Sequence, residues 1–153
     1  MKFLRTLSLI AVALVLAPAV FAADFGVRAG RYNDGDGEFV GAEVAFDAGA
    51  ITINPNLEYS LEDDITAGTA NLDITYDLVN IGSLTPYIGA GVGLAYLDDE
   101  LVTQTDVVGN LIGGVSFKLD FLQPYAQLKY FRVFDTNEGE ADDDIALTIG
   151  LRF

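Results

Sequence analysis

The chain has 153 residues, of which 8 are basic and 23 acidic, and it contains neither histidine nor cysteine. That length suggests one domain, and a formal charge of −15 argues against nucleic-acid binding, which needs a basic surface. Without His or Cys there is no Ser-His-Asp or Cys-His catalysis and no disulfide.

Residues 1–22 read as a secretory signal peptide. Lys2 and Arg5 open it, LSLIAVALVL (7–16) forms a short apolar middle, and Val20 and Ala22 stand at −3 and −1 of a cleavage site. The apolar run is too short to span a bilayer as a helix. Loss of Lys2 and Arg5 would make the mature domain, residues 23–153, still more acidic.

The rest of the chain alternates with period two, the signature of strands with one apolar face. Residues 24–32 set Phe25, Val27 and Ala29 against Gly26, Arg28 and Gly30. Residues 38–47 set Val40, Ala42, Val44 and Phe46 against Gly41, Glu43 and Asp47. Residues 51–60 set Ile51, Ile53, Leu57 and Tyr59 against Thr52, Asn54, Asn56, Glu58 and Ser60. Residues 69–77 set Ala70, Leu72, Ile74 and Tyr76 against Asn71, Asp73, Thr75 and Asp77. Within TPYIGAGVGLAY (85–96), Ile88, Ala90, Val92, Leu94 and Tyr96 alternate with Gly89, Gly91 and Gly93. Residues 107–119 set Leu111, Val115 and Phe117 against Asn110, Ser116 and Lys118. Residues 124–134 set Ala126, Leu128 and Tyr130 against Gln127, Lys129 and Phe131. The chain closes on Ile145, Leu147, Ile149, Leu151 and Phe153, with Arg152 on the other face. That makes eight strands, and no segment carries a helical period.

The connections alternate in kind. NDGDG (33–37), LEDD (61–64), LDDELVTQTD (97–106) and DTNEGEADDD (135–144) are acidic or glycine-rich; AGA (48–50), LVNIGSLT (78–85) and DFLQ (120–123) are compact. In an up-and-down meander this collects the acidic loops at one end and the compact turns at the other. Pro86 and Pro124 stand near strand starts at the compact end, where a missing N–H is tolerated. Pro55 lies deeper in its strand, which predicts a later start or a bulge there.

Alternation does not say which face meets solvent. A soluble periplasmic barrel would turn its apolar face inward around an apolar ligand; a transmembrane barrel turns it outward to lipid. Three features favour lipid. The polar face carries both signs of charge, in Arg28, Glu43, Glu58, Asp73, Asp77, Lys118, Lys129 and Arg152, and a narrow interior can hold these as a paired network. The same face is rich in small residues. Aromatics recur near strand ends, as in interfacial girdles: Phe25, Phe46, Tyr59, Tyr76, Tyr96, Tyr130 and Phe153. The predicted fold is therefore all-β, an eight-stranded antiparallel up-and-down transmembrane β-barrel.

TPYIGAGVGLAY, QPYAQLKY and the ending IALTIGLRF, behind a signal peptide, resemble the small eight-stranded outer-membrane β-barrels of Gram-negative bacteria, the OmpA/OmpX/opacity-protein-like superfamily. The resemblance covers nearly all of residues 23–153. It implies residence in the cell outer membrane, contact with outer-membrane lipid and lipopolysaccharide, and recognition by the barrel assembly machinery through Ile149, Leu151 and Phe153, with Leu147 continuing the pattern. The chain departs from OmpA in lacking a peptidoglycan-binding domain, and its loops are shorter than those of adhesive opacity proteins. Outer-membrane lipid A modifying enzymes and omptin proteases have a similar architecture but depend on His.

Catalysis has little footing beyond that. Asp73 and Asp77 share a face but lie roughly 13 Å apart at strand rise, so they read as members of the interior network. NDGDGE offers Asp34, Asp36 and Glu38 as weak Ca²⁺ ligands, shorter than an EF-hand loop and equally readable as solvated loop. No cofactor is expected. Eight strands leave no continuous aqueous pore; a narrow pore through the small side chains of 85–96 is the alternative, with Tyr87, Tyr125, Lys118 and Lys129 available to fill it. The expected protein is a monomeric structural or surface-interacting barrel without nucleic-acid binding. Gly89, Gly91 and Gly93 are expected to line its inner wall beneath bulky or charged side chains from across the barrel.

Overall fold

The computed structural model describes residues 23–33, 37–61, 66–99, 102–134 and 141–153. They form β1 (Ala23–Tyr32), β2 (Glu38–Ala48), β3 (Ile51–Ser60), β4 (Thr66–Asp77), β5 (Leu84–Asp99), β6 (Val102–Phe117), β7 (Gln123–Phe134) and β8 (Ala141–Arg152). Each strand pairs antiparallel with the next, and β1 also pairs with β8, so the sheet closes into a barrel. Closure gives every strand two neighbours and removes the open edge that lipid cannot hydrogen-bond.

Directly opposed residues followed round the wall run Val27, Ala42, Leu57, Ala70, Leu94, Val107, Phe134 and Ala141. Against β1 that path does not return to Val27, because Val27 itself faces Leu151. The stagger is what tilts barrel strands from the axis. At the end holding the short turns, Phe25 and Phe153 exchange backbone N–H···O bonds of 3.1 and 2.8 Å, joining the first strand to the last residue.

The eight strands fall where the alternation puts them, but several run longer. β5 and β6 continue to Asp99 and from Val102, so most of the expected loop 97–106 is paired hairpin. Asp98 faces Thr103 and Tyr96 faces Thr105 there. Likewise β8 begins at Ala141, inside the expected loop 135–144, with Asp144 opposite Phe131. Charge and glycine marked these segments as loops; backbone pairing with a neighbouring strand overrides that local signal.

Pro55 neither delays β3 nor makes a bulge. The pairing of β2 with β3 has the same register on both sides of it, Glu43 opposite Asn56 and Phe46 opposite Ile53. Proline offers no N–H to the ladder. The carbonyl of Val44, opposite Pro55 in this register, instead accepts from the side-chain amide of Asn54 at 3.3 Å.

The two faces of the wall are sharply divided. Leu57, Val92 and Ile149 are each 62% exposed, while Asn54, Asp73 and Lys129 are each 2% exposed. The outside is apolar and the inside polar, the reverse of a water-soluble barrel. The outward aromatics form two levels: Phe25, Phe46, Tyr76 and Phe153 toward the turn end, and Tyr59, Tyr96 and Tyr130 toward the loop end. Along β4, from Tyr76 to Gly68 (which lies between Tyr59 and Tyr96), the strand rises about 26 Å, or roughly 20 Å of height at barrel tilt.

Candidate functional site

The chemistry of this barrel is concentrated in its interior. Arg28 on β1 stands at the centre, where its guanidinium donates to Glu58 Oε1 at 3.0 Å, to Asn54 Oδ1 at 3.0 Å and to Glu43. Glu43 on β2 also accepts from Arg152 Nε at 2.8 Å, from the Tyr125 hydroxyl at 3.0 Å and from Asn54 Nδ2 at 3.1 Å. Glu58 on β3 accepts from Lys129 Nζ at 2.5 Å and from Thr69 Oγ1 at 3.2 Å. The Arg152 guanidinium lies over the Tyr125 ring, 4.7 Å from its centroid, a contact that favours the cation in a site shielded from water.

A second, neutral-donor layer adjoins this one. Asp73 on β4 accepts from Asn56 at 2.8 Å and from Asn110 at 3.1 Å. Asn71 links the two amides, donating to Asn56 Oδ1 at 3.2 Å and accepting from Asn110 Nδ2 at 3.1 Å. Tyr87 donates to Gln127 Oε1 at 3.0 Å. Toward the loops, Tyr32 packs on Phe39 and Phe131 at ring separations of 5.0 and 5.3 Å. Beyond that aromatic layer a cavity of about 540 Å³ opens, bordered by Thr69, Ala95, Asp106 and Asp143 among others.

The buried charges balance: Arg28, Lys129 and Arg152 against Glu43, Glu58 and Asp73. Among the described residues the acidic excess is therefore not buried in the core. A buried charge is costly unless it is paired or well hydrogen-bonded; Arg28, Lys129, Arg152, Glu43 and Glu58 find ionic partners on different strands, and Asp73 is held by the amides of Asn56 and Asn110.

Asp77 and Lys118 are separate from this network. They pair with each other at 3.5 Å at the turn end, where the Lys118 side chain is 51% exposed. Their parity points inward, but they lie past the sealed layers, so Lys118 fills no part of the lumen. The asparagines were on the polar face by parity, yet charge alone does not reveal that Asn54, Asn56, Asn71 and Asn110 belong to the network. Their signal was the recurrence of amides at inward positions of β3, β4 and β6. Of the weak Ca²⁺ candidates, Asp34 and Asp36 lie outside the described residues and Glu38 is exposed on β2. Among the described residues no group of carboxylates is assembled to hold a metal.

The interior glycines make the room. Gly89, Gly91 and Gly93 line the inner wall, directly opposite Thr75, Asp73 and Asn71 of β4. An added Cβ at any of them would strike its opposed side chain. The covering groups thus come from the adjacent strand, not from across the barrel as expected: in a cross-strand pair the side chain leans over its neighbour's Cα. The same relation joins Gly41 to Arg28, Gly114 to Tyr87 and Gly150 to Tyr125.

In fold the chain is similar to Neisserial surface protein A (NspA), with a TM-score of 0.64 and 17% identity over 85% of this chain and 92% of that one. It is similar to the N-terminal β-barrel domain of Pseudomonas aeruginosa OprF, with a TM-score of 0.63 and 16% identity over 86% and 96%. It is also similar to the outer membrane enzyme PagL, with a TM-score of 0.56 and 11% identity over 83% and 97%. No family model and no curated protein matches the chain. The fold is that of the small eight-stranded outer-membrane β-barrels, as the resemblance of TPYIGAGVGLAY and the chain ending implied.

Proposed function

We propose that this chain is an integral outer-membrane protein of a Gram-negative bacterium, exported by cleavage after residue 22, with a structural or surface-interacting role and no catalysis. The observation that carries this reading is the inverted burial, with Leu57, Val92 and Ile149 bare and Arg28, Glu43 and Lys129 sealed inside. In water that arrangement is unfavourable on both faces; in a bilayer it is favourable on both. A soluble barrel holding an apolar ligand needs an apolar interior, and this interior is filled by charged and amide side chains.

In this reading both termini and the compact turns face the periplasm, and the acidic loops face outward beside lipopolysaccharide. Ile149, Leu151 and Phe153 present the assembly signal. The interior network crosses the lumen and supports a closed barrel rather than a pore. PagL is an enzyme on a similar fold, so the fold alone does not decide catalysis; the absence of His and Cys supports the non-catalytic reading.

Membrane fractionation combined with heat-modifiable gel mobility tests the proposal. Recovery in the outer-membrane fraction, with a mobility shift between unheated and boiled samples, is the expected outcome. A soluble protein without that shift would overturn it.

A further inference from the structure

The apolar wall does not end evenly at the turn end of the barrel. Between β2 and β3 it stops at Ala48, Gly49 and Ala50, which offer no large side chain. On the other side, the connections 78–83 and 118–122 continue it. Val79 is 70% exposed, Ile81 65% and Phe121 79%, with Leu78 and Leu119 beside them also bare.

These two connections form one unit. The Lys118 N–H donates to the Ser83 carbonyl at 2.9 Å, and Leu119 N–H to the Leu122 carbonyl at 3.0 Å. Ile81 and Leu84 bridge within the first connection, and Asn80 is satisfied there by the Thr85 hydroxyl at 2.7 Å. These bonds pair part of the backbone of the two connections while the apolar side chains project. Leu78 extends the outward series Leu72, Ile74 and Tyr76 of β4. Leu119 extends Leu111, Val115 and Phe117 of β6.

We propose that 78–83 and 118–122 form an apolar wedge embedded in the lipid leaflet at the turn end, its occupant being phospholipid acyl chains. The inference rests on the transmembrane reading and specifies how deep one side of the barrel sits. Continuity with the lipid-facing wall selects lipid as the occupant: Leu78 follows Tyr76 and Leu119 follows Phe117 at outward positions, while the exposed Asn80 and Asp120 lie farther along the connections. The band is accordingly taller on the β4–β7 side than at the β2–β3 turn.

The chain contains no tryptophan, so each Trp variant carries a single reporter. Phe121→Trp, Val92→Trp (mid-wall) and Ala50→Trp (the short turn) would be folded into phosphatidylcholine vesicles, with folding checked by gel mobility. Emission would be compared in lipids brominated on the acyl chain and in unbrominated lipid. Phe121→Trp is expected to lose emission to brominated lipid as Val92→Trp does, with stronger quenching from bromines near the headgroup than from those deep in the chain; Ala50→Trp should be quenched by aqueous acrylamide instead. If Val92→Trp is quenched by lipid and Phe121→Trp behaves like Ala50→Trp, the wedge is wrong, the membrane reading stands, and the patch is left to a protein partner or a second copy. If the folded Val92→Trp barrel escapes lipid quenching, both readings fall.

Discussion

Lys129 on β7 and Glu58 on β3 belong to strands on opposite sides of the barrel, yet they meet at 2.5 Å across the lumen. Their contact, together with that of Arg152 on β8 to Glu43 on β2 at 2.8 Å, ties walls that share no backbone hydrogen bond. The interior is therefore a brace as well as a filling.

The brace is asymmetric, and mutation should expose this. Glu58 contacts Lys129, Arg28 and Thr69, whereas among the described residues Lys129 has Glu58 alone as its ion-pair partner. Glu58→Ala leaves Lys129 buried without an anion and is expected to cost about 3–5 kcal/mol, the range for breaking one side of a buried pair. Lys129→Met, which leaves Glu58 with Arg28, should cost less, and adding it to Glu58→Ala should recover part of the loss. Urea titration of the folded band on unheated gels measures all three; equal costs for the two single variants would contradict the asymmetry.

Glycines on the two faces should respond oppositely. A Cβ at Gly91 meets Asp73 and lies 2.9 Å from the Leu72 carbonyl, while one at Gly113, on the outer face, meets nothing within 4 Å. Gly91→Ala should destabilise by about 1–3 kcal/mol through overpacking. Gly113→Ala should be neutral or gain about 0.5–1 kcal/mol from the lost backbone freedom of glycine. The same urea titration checks the sign of each.

Ile149→Arg puts a charge on the lipid face of β8, four residues before the terminal Phe153. Refolding into vesicles should be weakened by about 2–4 kcal/mol, as for a basic side chain near the bilayer midplane. A neutral result would mean that the apolar face does not meet lipid.

Deletion of Phe153 removes both the terminal aromatic and its backbone pair with Phe25. Levels of folded barrel in the outer membrane should fall, while refolding into detergent in vitro should be affected less. Unchanged cellular levels would remove the assembly-signal reading.

Much of the fold was legible because period-two alternation is a local property. Ile145 to Phe153 and Ile88 to Tyr96 each declare a strand and its two faces without reference to anything distant. Strand ends were less legible. Asp98, Asp142 and Asp144 read as loop by composition, yet their backbones pair in hairpins and ladders, a choice made by the neighbouring strand. In the network, parity placed Arg28, Glu43, Glu58, Lys129 and Arg152 on one face but could not say which would meet, because their partners lie up to 109 residues away. Asp77 and Lys118 shared that parity and still fell outside the sealed layers, since depth along the axis depends on strand stagger.

The sequence by itself determined that this chain is a set of eight two-faced strands whose polar face is small and charged, because alternation and residue size act one residue at a time. Only the tertiary structure decided how that face is filled. Gly89, Gly91 and Gly93 shelter Thr75, Asp73 and Asn71 from the adjacent strand, and Glu43 gathers Arg28, Arg152, Tyr125 and Asn54 from four others. Both outcomes depend on register between strands, which is set when the barrel closes and all ladders must be satisfied together.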